Sequence, residues 1–380
     1  MIQKLFAVLL CLFGLHAGTD ALYLSWYGDP TTTMTIQWHA PASEALDLCE
    51  LKDPSGETFI FKAQSAPFPG MGLTIYTLRL KNLEPDTLYE FQIGEERYSF
   101  QTAPQTLKKP LHFIIGGDLY LSSSLFRSMA KVAVAQDPLF AVLGGDIAYA
   151  IGTNFLRSTA SRQWHRFLAD WKDAMVTPDN RIIPFLLVAG NHDISEDHSD
   201  LFFALFAFPD HRLYRTVDFG SYLSFILLDT GHLSPIAGVQ TQWLKKALAD
   251  RGKTPYLLPV YHIGAYPSYY NPDGKTPKEI RAHWCPLFDA HHLPAVFEHH
   301  SHTFKITHPL RNEQIDPKGT IYYGDGSWGV PPRIPKAQWY LKESLPKNMI
   351  YHITLEPDQG TIEALGLGSE SLRVSPLPPR

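Results

Sequence analysis

The hydrophobic rhythm of the chain changes once. Before residue 103, apolar and polar residues alternate: Met34, Ile36 and Trp38 are interleaved with Thr35 and Gln37, and Tyr89, Phe91 and Ile93 with Glu90 and Gln92. A period of two puts every other side chain on one face, as in half-buried strands. Turn residues break the runs at Asp53-Pro54-Ser55-Gly56, Phe68-Pro69-Gly70 and Glu84-Pro85-Asp86. That spacing predicts a small antiparallel sandwich over residues 22–103. A polar linker, Ala103-Pro104-Gln105-Thr106-Leu107-Lys108-Lys109-Pro110, then leads into continuous apolar runs separated by helix-like stretches.

Those later runs predict strands buried on both faces, in βαβ units. Three of them lead into Gly117-Asp118, Gly145-Asp146 and Gly190-Asn191-His192-Asp193. Further strands are predicted over 222–228, 256–261, 295–298, 320–323, 350–355 and 361–367, and helices over 123–136, 163–174 and 240–248. Together these make a second domain over 111–368. Residues 369–380 hold three prolines and little apolar material, which predicts a loose C-terminal tail. No internal repeat is present.

The N-terminus carries Lys4, an apolar stretch over 5–15, and small residues at Ala17, Gly18 and Ala21. This is the layout of a signal peptide over 1–21. The alternative, a membrane anchor, needs an apolar stretch of roughly 20 residues. The expectation is therefore a secreted or periplasmic protein with no stable membrane span after cleavage. Cys11 would leave with the leader, and Cys49 and Cys285 fall in different domains, so no disulfide is expected.

With 380 residues, 44% hydrophobic and 19% charged, the chain can bury a sizeable core and is not of disordered composition. A formal charge of −5 without a long basic run argues against a nucleic-acid partner. A phosphate-bearing substrate would need local positive charge, which metal ions can supply.

The strand ends carry the chemistry. Asp118, Asp146 and Asn191 lie where ligands of such sheets gather, beyond the carboxyl ends of the strands. His262 closes another apolar run, and Glu298-His299-His300-Ser301-His302 follows the next. Residues two apart on an extended segment point the same way, so His300 and His302 are expected to converge while Ser301 faces away. Oxygen and imidazole donors without a thiolate cluster suit hard or borderline metals.

The ordered set Gly-Asp-Leu, Gly-Asp-x-x-Tyr, Gly-Asn-His-Asp, Val-x-His and His-x-His resembles the calcineurin-like metallophosphoesterases, and Tyr149 makes it resemble the purple acid phosphatases. The stretch from Leu83 through Tyr89 to Phe91 resembles the tyrosine corner of fibronectin type III-like domains, which precede the catalytic domain in that family. The resemblance spans most of residues 22–368. It implies an all-β fibronectin type III-like sandwich followed by a four-layer (αββα) metallophosphoesterase domain. It also implies two metal ions, Fe(III) plus a divalent Fe, Zn or Mn. Asp118, Tyr149 and His302 would hold the first, Asn191, His262 and His300 the second, and Asp146 would bridge them. The implied activity is a secreted phosphatase that attacks small phosphate monoesters with a metal-bound hydroxide.

Three departures leave roles open. Tyr120 stands where the purple enzymes have Gly, and competes with Tyr149 as phenolate ligand, although spacing favours Tyr149. His299 replaces a Gly before the paired histidines, and either crowds the pocket or is structural. The histidine pair that plant enzymes carry after the residue equivalent to His262 is missing. His192, beside Asp193, is then the leading candidate for protonating the leaving alcohol, against a reading in which it only orients phosphate; both enter the candidate catalytic set. Tyr266, Tyr269 and Tyr270 form a lid or a packed surface loop, Gly324-Asp325-Gly326-Ser327-Trp328-Gly329 a turn that also borders the pocket, and Asp229 a strand cap or a support of the site. The rival functions are a phosphodiesterase acting on, for example, cyclic nucleotides, and a silent cell-surface binding protein. Intact metal donors argue against the last. The oligomeric state is not encoded legibly.

Overall fold

The computed structural model describes residues 18–152, 160–206, 208–324 and 326–380. The alternating region forms eight strands: β1 (Ala21–Ser25), β2 (Met34–Pro41), β3 (Leu48–Lys52), β4 (Thr58–Lys62), β5 (Gln64–Pro67), β6 (Leu73–Leu80), β7 (Leu88–Ile93) and β8 (Glu96–Gln101). They build two antiparallel sheets, β1-β2-β6-β5 and β4-β3-β7-β8, whose inner residues share one core. Strand β7 keeps the predicted alternation, with Tyr89, Phe91 and Ile93 buried, and the Tyr89 hydroxyl accepts the Glu84 N–H at 2.8 Å. Strand β2 breaks it: Thr35, Gln37 and His39 are buried as well, because the β1-β2 side of the sandwich faces the second unit.

The leader expected over 1–21 lies outside the described residues as far as 17, and its end needs correction. Thr19 donates its N–H and hydroxyl to Glu96 at 2.9 and 2.6 Å, and Ala21 is fully buried opposite His39 in the β1-β2 ladder. The sandwich therefore begins before residue 22.

The second unit runs β9 (Leu111–Gly116), α1 (Ser123–Val134), β10 (Phe140–Leu143), α2 (Ala160–Ala174), β11 (Phe185–Leu187), α3 (Ser199–Leu205), β12 (Arg215–Phe219), β13 (Leu223–Leu227), α4 (Thr241–Asp250), β14 (Tyr256–Ile263), α5 (Lys275–His283), α6 (Cys285–Ala290) and β15 (Ala295–His299). It continues through β16 (Phe304–Thr307), β17 (Leu310–Arg311), β18 (Gln314–Ile315), β19 (Ile321–Gly324), β20 (Leu341–Leu345), β21 (Met349–Leu355), β22 (Gly360–Gly366) and β23 (Ser371–Pro376). Two mixed sheets result, β11-β10-β9-β21-β22-β23 and β12-β13-β14-β15-β19-β16-β20. The predicted parallel runs are their centres: β9, β10 and β11 pair in parallel, as do β13, β14, β15 and β19.

Facing sides of the sheets share a core in which Phe113 meets Phe225 edge-on at 5.5 Å. On its other side the first sheet packs Ile114, Ala141 and Leu143 against Phe126 of α1 and Trp164, Phe167 and Trp171 of α2. The second packs Ile226, Leu257 and Val296 against Leu244 of α4, Ile280 of α5, Phe288 of α6 and Trp284 at the α5–α6 junction. Coverage on both faces is why these strands read as unbroken apolar runs.

Residues 369–380 are not a loose tail. Strand β23 adds to the edge of β22 in register Thr361↔Pro376 to Leu365↔Ser371, and Leu377 is 1% exposed. An edge strand keeps one side in water, so Ser371, Arg373 and Ser375 in it carry no strong apolar signal. Cys49 and Cys285 are both free and buried, as expected.

The two units are not beads on a linker. Trp26 meets Phe140 and Phe219 edge-on at 5.9 and 5.8 Å, and the Tyr23 hydroxyl donates to the Leu205 carbonyl at 2.8 Å. His39 in β2 stacks on His165 of α2 at 5.7 Å.

Candidate metal centre

The turns after β9, β10 and β11 and the segments after β14 and β15 meet in one place. Asp118 is fully buried there. Its Oδ1 lies 3.0 Å from His302 Nε2 and 3.2 Å from the Tyr149 hydroxyl, which is itself 3.1 Å from His302 Nε2. Asp146 Oδ2 lies 3.3 Å from His262 Nε2, which is 3.2 Å from Asn191 Oδ1. Ligand atoms of Asp146, His262 and His300 fall within 4.8 Å of one another. All seven expected ligands are thus brought together.

The backbone is bent to do this. Asp118, Asp146, Tyr149, His300 and His302 all have positive φ, from 50° to 83°, a region that non-glycine residues occupy at a cost and that recurs at functional sites. The convergence of His300 and His302 therefore has a different cause from the one expected: β15 ends at His299, and both histidines leave the extended conformation. Close approach also needs missing side chains. A Cβ on Gly190 would lie 2.1 Å from the Asp146 nitrogen, and one on Gly144 only 1.9 Å from the His299 ring. His299 is thus not in the mouth of the site. It is buried beneath the Asp118 and Asp146 turns, where burial keeps its imidazole neutral.

A metal fits the donors. Asp146 Oδ2 and His300 Nδ1 are buried without a hydrogen-bond partner among the described residues, and such atoms are costly unless something binds them. Burial opposes charge on Asp146, but His262 overrides it and holds the carboxyl well below the usual range. Burial likewise opposes charge on His262, whose pKa Asp146 nevertheless raises to about 9. Burial, with Asp118 and Asp146, pushes the Tyr149 phenol well above its ordinary value. His262 and Tyr149 thus hold protons that a cation would displace, while Asp146 is already ionised.

The competing tyrosine points elsewhere. The Tyr120 hydroxyl donates to Asp170 Oδ2 at 2.6 Å and lies against α2. The candidate catalytic pair also separates. His192 donates its backbone N–H to Asp146 Oδ1 at 2.8 Å, and its Nδ1 lies 2.9 Å from the Ile151 carbonyl. A carbonyl only accepts, so Nδ1 carries a proton and Nε2 is the nitrogen left for proton exchange. Asp193 does not touch that ring: it accepts N–H bonds from Ile147, Ala148 and Gly190 at 2.8, 3.3 and 2.9 Å. Burial and Asp146 push its carboxyl up to about 8, against the pull of those donors. Its place is under the site, tying two ligand turns together.

Three other predictions resolve. Tyr270 stacks on His300 at 4.4 Å, so the aromatic loop borders the centre. The 326–329 turn does too, since Gly329 and Trp328 donate N–H bonds to Asp118 and Gly117 at 2.9 and 3.1 Å; Asp325 lies outside the described residues. Asp229 accepts four N–H bonds, from Gly231 through Ser234, and so shapes the turn that brings His232 within 6.1 Å of the His262 ring. Sequence reasoning missed His232. Its only signal was a histidine three residues beyond an Asp at a strand end. Arg333 was also missed, for its N–H donates to the His302 carbonyl at 2.8 Å from a segment with no recognisable pattern.

Comparison with known proteins agrees with this geometry. Residues 19–106 match the purple acid phosphatase N-terminal domain, and residues 108–304, more than half of the chain, match the calcineurin-like phosphoesterase family. Purple acid phosphatase 21 of Arabidopsis thaliana is 29% identical over 296 residues, covering 71% of this chain and 62% of that protein. Purple acid phosphatase 15 of the same plant is 24% identical over 370 residues, covering 82% and 66%. The chain thus spans less than two thirds of the length of either relative. Among solved structures, the purple acid phosphatase PPD1 from yellow lupin (Lupinus luteus) seeds aligns with a TM-score of 0.77 at 16% identity, over 94% of this chain and 74% of that one. GAP50, described as the anchor in the inner membrane complex of Plasmodium, aligns with a TM-score of 0.55 at 15% identity, over 72% and 90%.

Proposed function

This chain belongs to the calcineurin-like phosphoesterase family, in its purple acid phosphatase branch, and on that premise we propose that it hydrolyses phosphate monoesters at a two-metal centre. The observation that carries the reading is Asp146 Oδ2, a buried oxygen without a hydrogen-bond partner that lies 3.3 Å from His262 Nε2. Asp118, Tyr149 and His302 would hold one metal, Asn191, His262 and His300 the other, with Asp146 shared. Fe(III) with divalent Fe, Zn or Mn is the pair that this donor set and the family support. When bound, the metals supply positive charge against the phosphoryl oxygens and lower the pKa of a water towards about 7.

The chain's own groups do the rest. Asp193 fixes the 146–149 turn against the 190–193 turn, so that Asp146 and Asn191 keep their spacing. His192, anchored through Nδ1, presents Nε2 as the proton donor to the departing alcohol oxygen. We extend the reading to the fold: the Tyr89 corner supports a fibronectin type III-like sandwich, and helices against the outer faces of two facing sheets support the four-layer αββα arrangement. The leader layout supports a secreted or periplasmic location. Among the described residues no helix is long and apolar enough to cross a membrane. The same fold serves as an anchor in GAP50; here the complete donor set favours catalysis.

Metal analysis of the purified chain tests this. The expected result is two metals per chain, iron among them, and hydrolysis of a small aryl phosphate. Asp146→Ala should lower both metals together, since it alone is shared. Full occupancy of one position in that variant would refute the bridging role, and absence of metal from the parent would refute the proposal.

A further inference from the structure

Beside the metal centre lies a cationic rim that the hydrolysis of a simple monoester does not use. Tyr270, stacked on His300 at 4.4 Å, meets Tyr269 edge-on at 5.4 Å. Arg333 places its guanidinium 5.2 Å from the Tyr270 ring and 5.0 Å from the Tyr269 ring, and donates to the Tyr270 hydroxyl at 2.6 Å. Lys336 places its ammonium 4.9 Å from the Tyr269 ring. The segment is pinned at both cations by its backbone: the Arg333 N–H donates to His302 and the Lys336 N–H to Ser268, at 2.8 and 2.7 Å.

Among the described residues neither cation pairs with a carboxylate, although the chain carries 38 acidic residues against 33 Lys and Arg. Their contacts are with aromatic rings and a phenol, which orient a positive head without neutralising it. Arg in addition offers a planar fork matched to phosphate. Two oriented, unneutralised cations next to a site for one phosphoryl group are suited to a second anion.

We propose that Arg333 and Lys336, carried on the Tyr269-Tyr270 platform, bind a second anionic group on the leaving-group side of the substrate, so that esters whose alcohol bears another phosphate are preferred over simple monoesters. The proposal rests on the phosphatase reading above. In the reaction water forms the new bond to the phosphorus at the metal centre, the ester P–O bond breaks, and the alcohol oxygen takes a proton. The second phosphate stays on the leaving alcohol, unchanged.

The test uses the metal-loaded full chain, as parent, Arg333→Gln and Lys336→Ala. The kcat/KM for trimethylene bisphosphate is compared with that for propyl phosphate, and calorimetric binding of trimethylene bisphosphonate with that of propylphosphonate. In the parent both ratios should favour the doubly anionic compound by roughly tenfold, the scale of one charge-assisted contact. Each variant should bring the ratios towards unity. If Arg333→Gln fails to fold, Lys336→Ala decides, since that side chain is exposed. Equal treatment of both compounds by the parent, or variants that leave the ratios unchanged, overturns the rim. Retained discrimination in binding without hydrolysis of any ester supports the rim and overturns the phosphatase reading instead.

Discussion

The Tyr149 hydroxyl lies 3.1 Å from Nε2 of His302, within the donor set around Asp118, while the Tyr120 hydroxyl is spent on Asp170. Tyr149→Phe should therefore abolish the visible absorption of a phenolate bound to Fe(III) and leave the fold intact. Tyr120→Phe should keep the colour. Absorption spectra of the two iron-loaded variants decide, and the reverse result would move the ligand role to Tyr120.

The His192 ring is anchored through Nδ1 to the Ile151 carbonyl at 2.9 Å and stacks on Tyr149 at 5.0 Å, which leaves Nε2 to exchange a proton. His192→Ala should slow hydrolysis of alkyl phosphates by the ~10²–10⁴-fold of general-acid catalysis. Aryl phosphates with good leaving groups should lose much less. Rates across esters of graded leaving-group pKa read this out. Parallel dependences for variant and parent would leave His192 only the task of holding phosphate.

The platform behind the rim depends on a buried ion pair. Glu298 and Lys305 are both 0% exposed; Glu298 also accepts the Ala265 and Tyr266 N–H groups at 2.7 and 3.2 Å, and Lys305 donates to the Tyr266 carbonyl at 2.8 Å. Replacing one partner strands the other charge, which typically costs about 3–5 kcal/mol. Lys305→Met should lower the denaturation midpoint accordingly, and the double variant Glu298→Gln with Lys305→Met should recover part of the loss. A single variant as stable as the parent would mean that the pair is dispensable.

Acid should loosen the seam between the two units. Burial, then His165, lowers the His39 pKa to about 3 from its ordinary 6.5. Below 6.5 the unfolded chain takes up a proton that the folded chain refuses, so stability falls as pH drops from 6.5 towards 3. The slope for one such group is at most about 1.4 kcal/mol per pH unit. Denaturation midpoints over that range should flatten in His39→Phe. An unchanged pH dependence in this variant would assign the acid sensitivity to other groups.

What was legible in the sequence is what depends on local pattern. Asp118, Asp146 and Asn191 announced themselves because each follows a Gly at the end of an apolar run, and a doubly covered strand has no other way to read. The helix α5, the strand β12 and the edge strand β23 did not, since short or one-sided elements are specified by their neighbours. The convergence of His300 and His302 was foreseen and its cause was not: positive φ at both residues is enforced by contacts such as the Asp118 Oδ2 bond to the His300 N–H at 2.9 Å, which join residues far apart in the chain. The burial of His299 under Gly117 and Gly144 and the position of Arg333 beside His302 belong to the same class. Asp193 was legible only as a motif position, since the N–H groups its carboxyl accepts, from Ile147, Ala148 and Gly190, come mostly from a turn far away in the chain.

Trp26, Tyr23 and His39 carry the sandwich into the body of the second unit, with Trp26 set between Phe140 and Phe219. Halves that interlock through large rings have no hinge between them, because any opening would have to pull those rings out of a close-packed interior. The ligand turns after β9, β10 and β11 are therefore set by packing that reaches into the sandwich, and the two units share one interior.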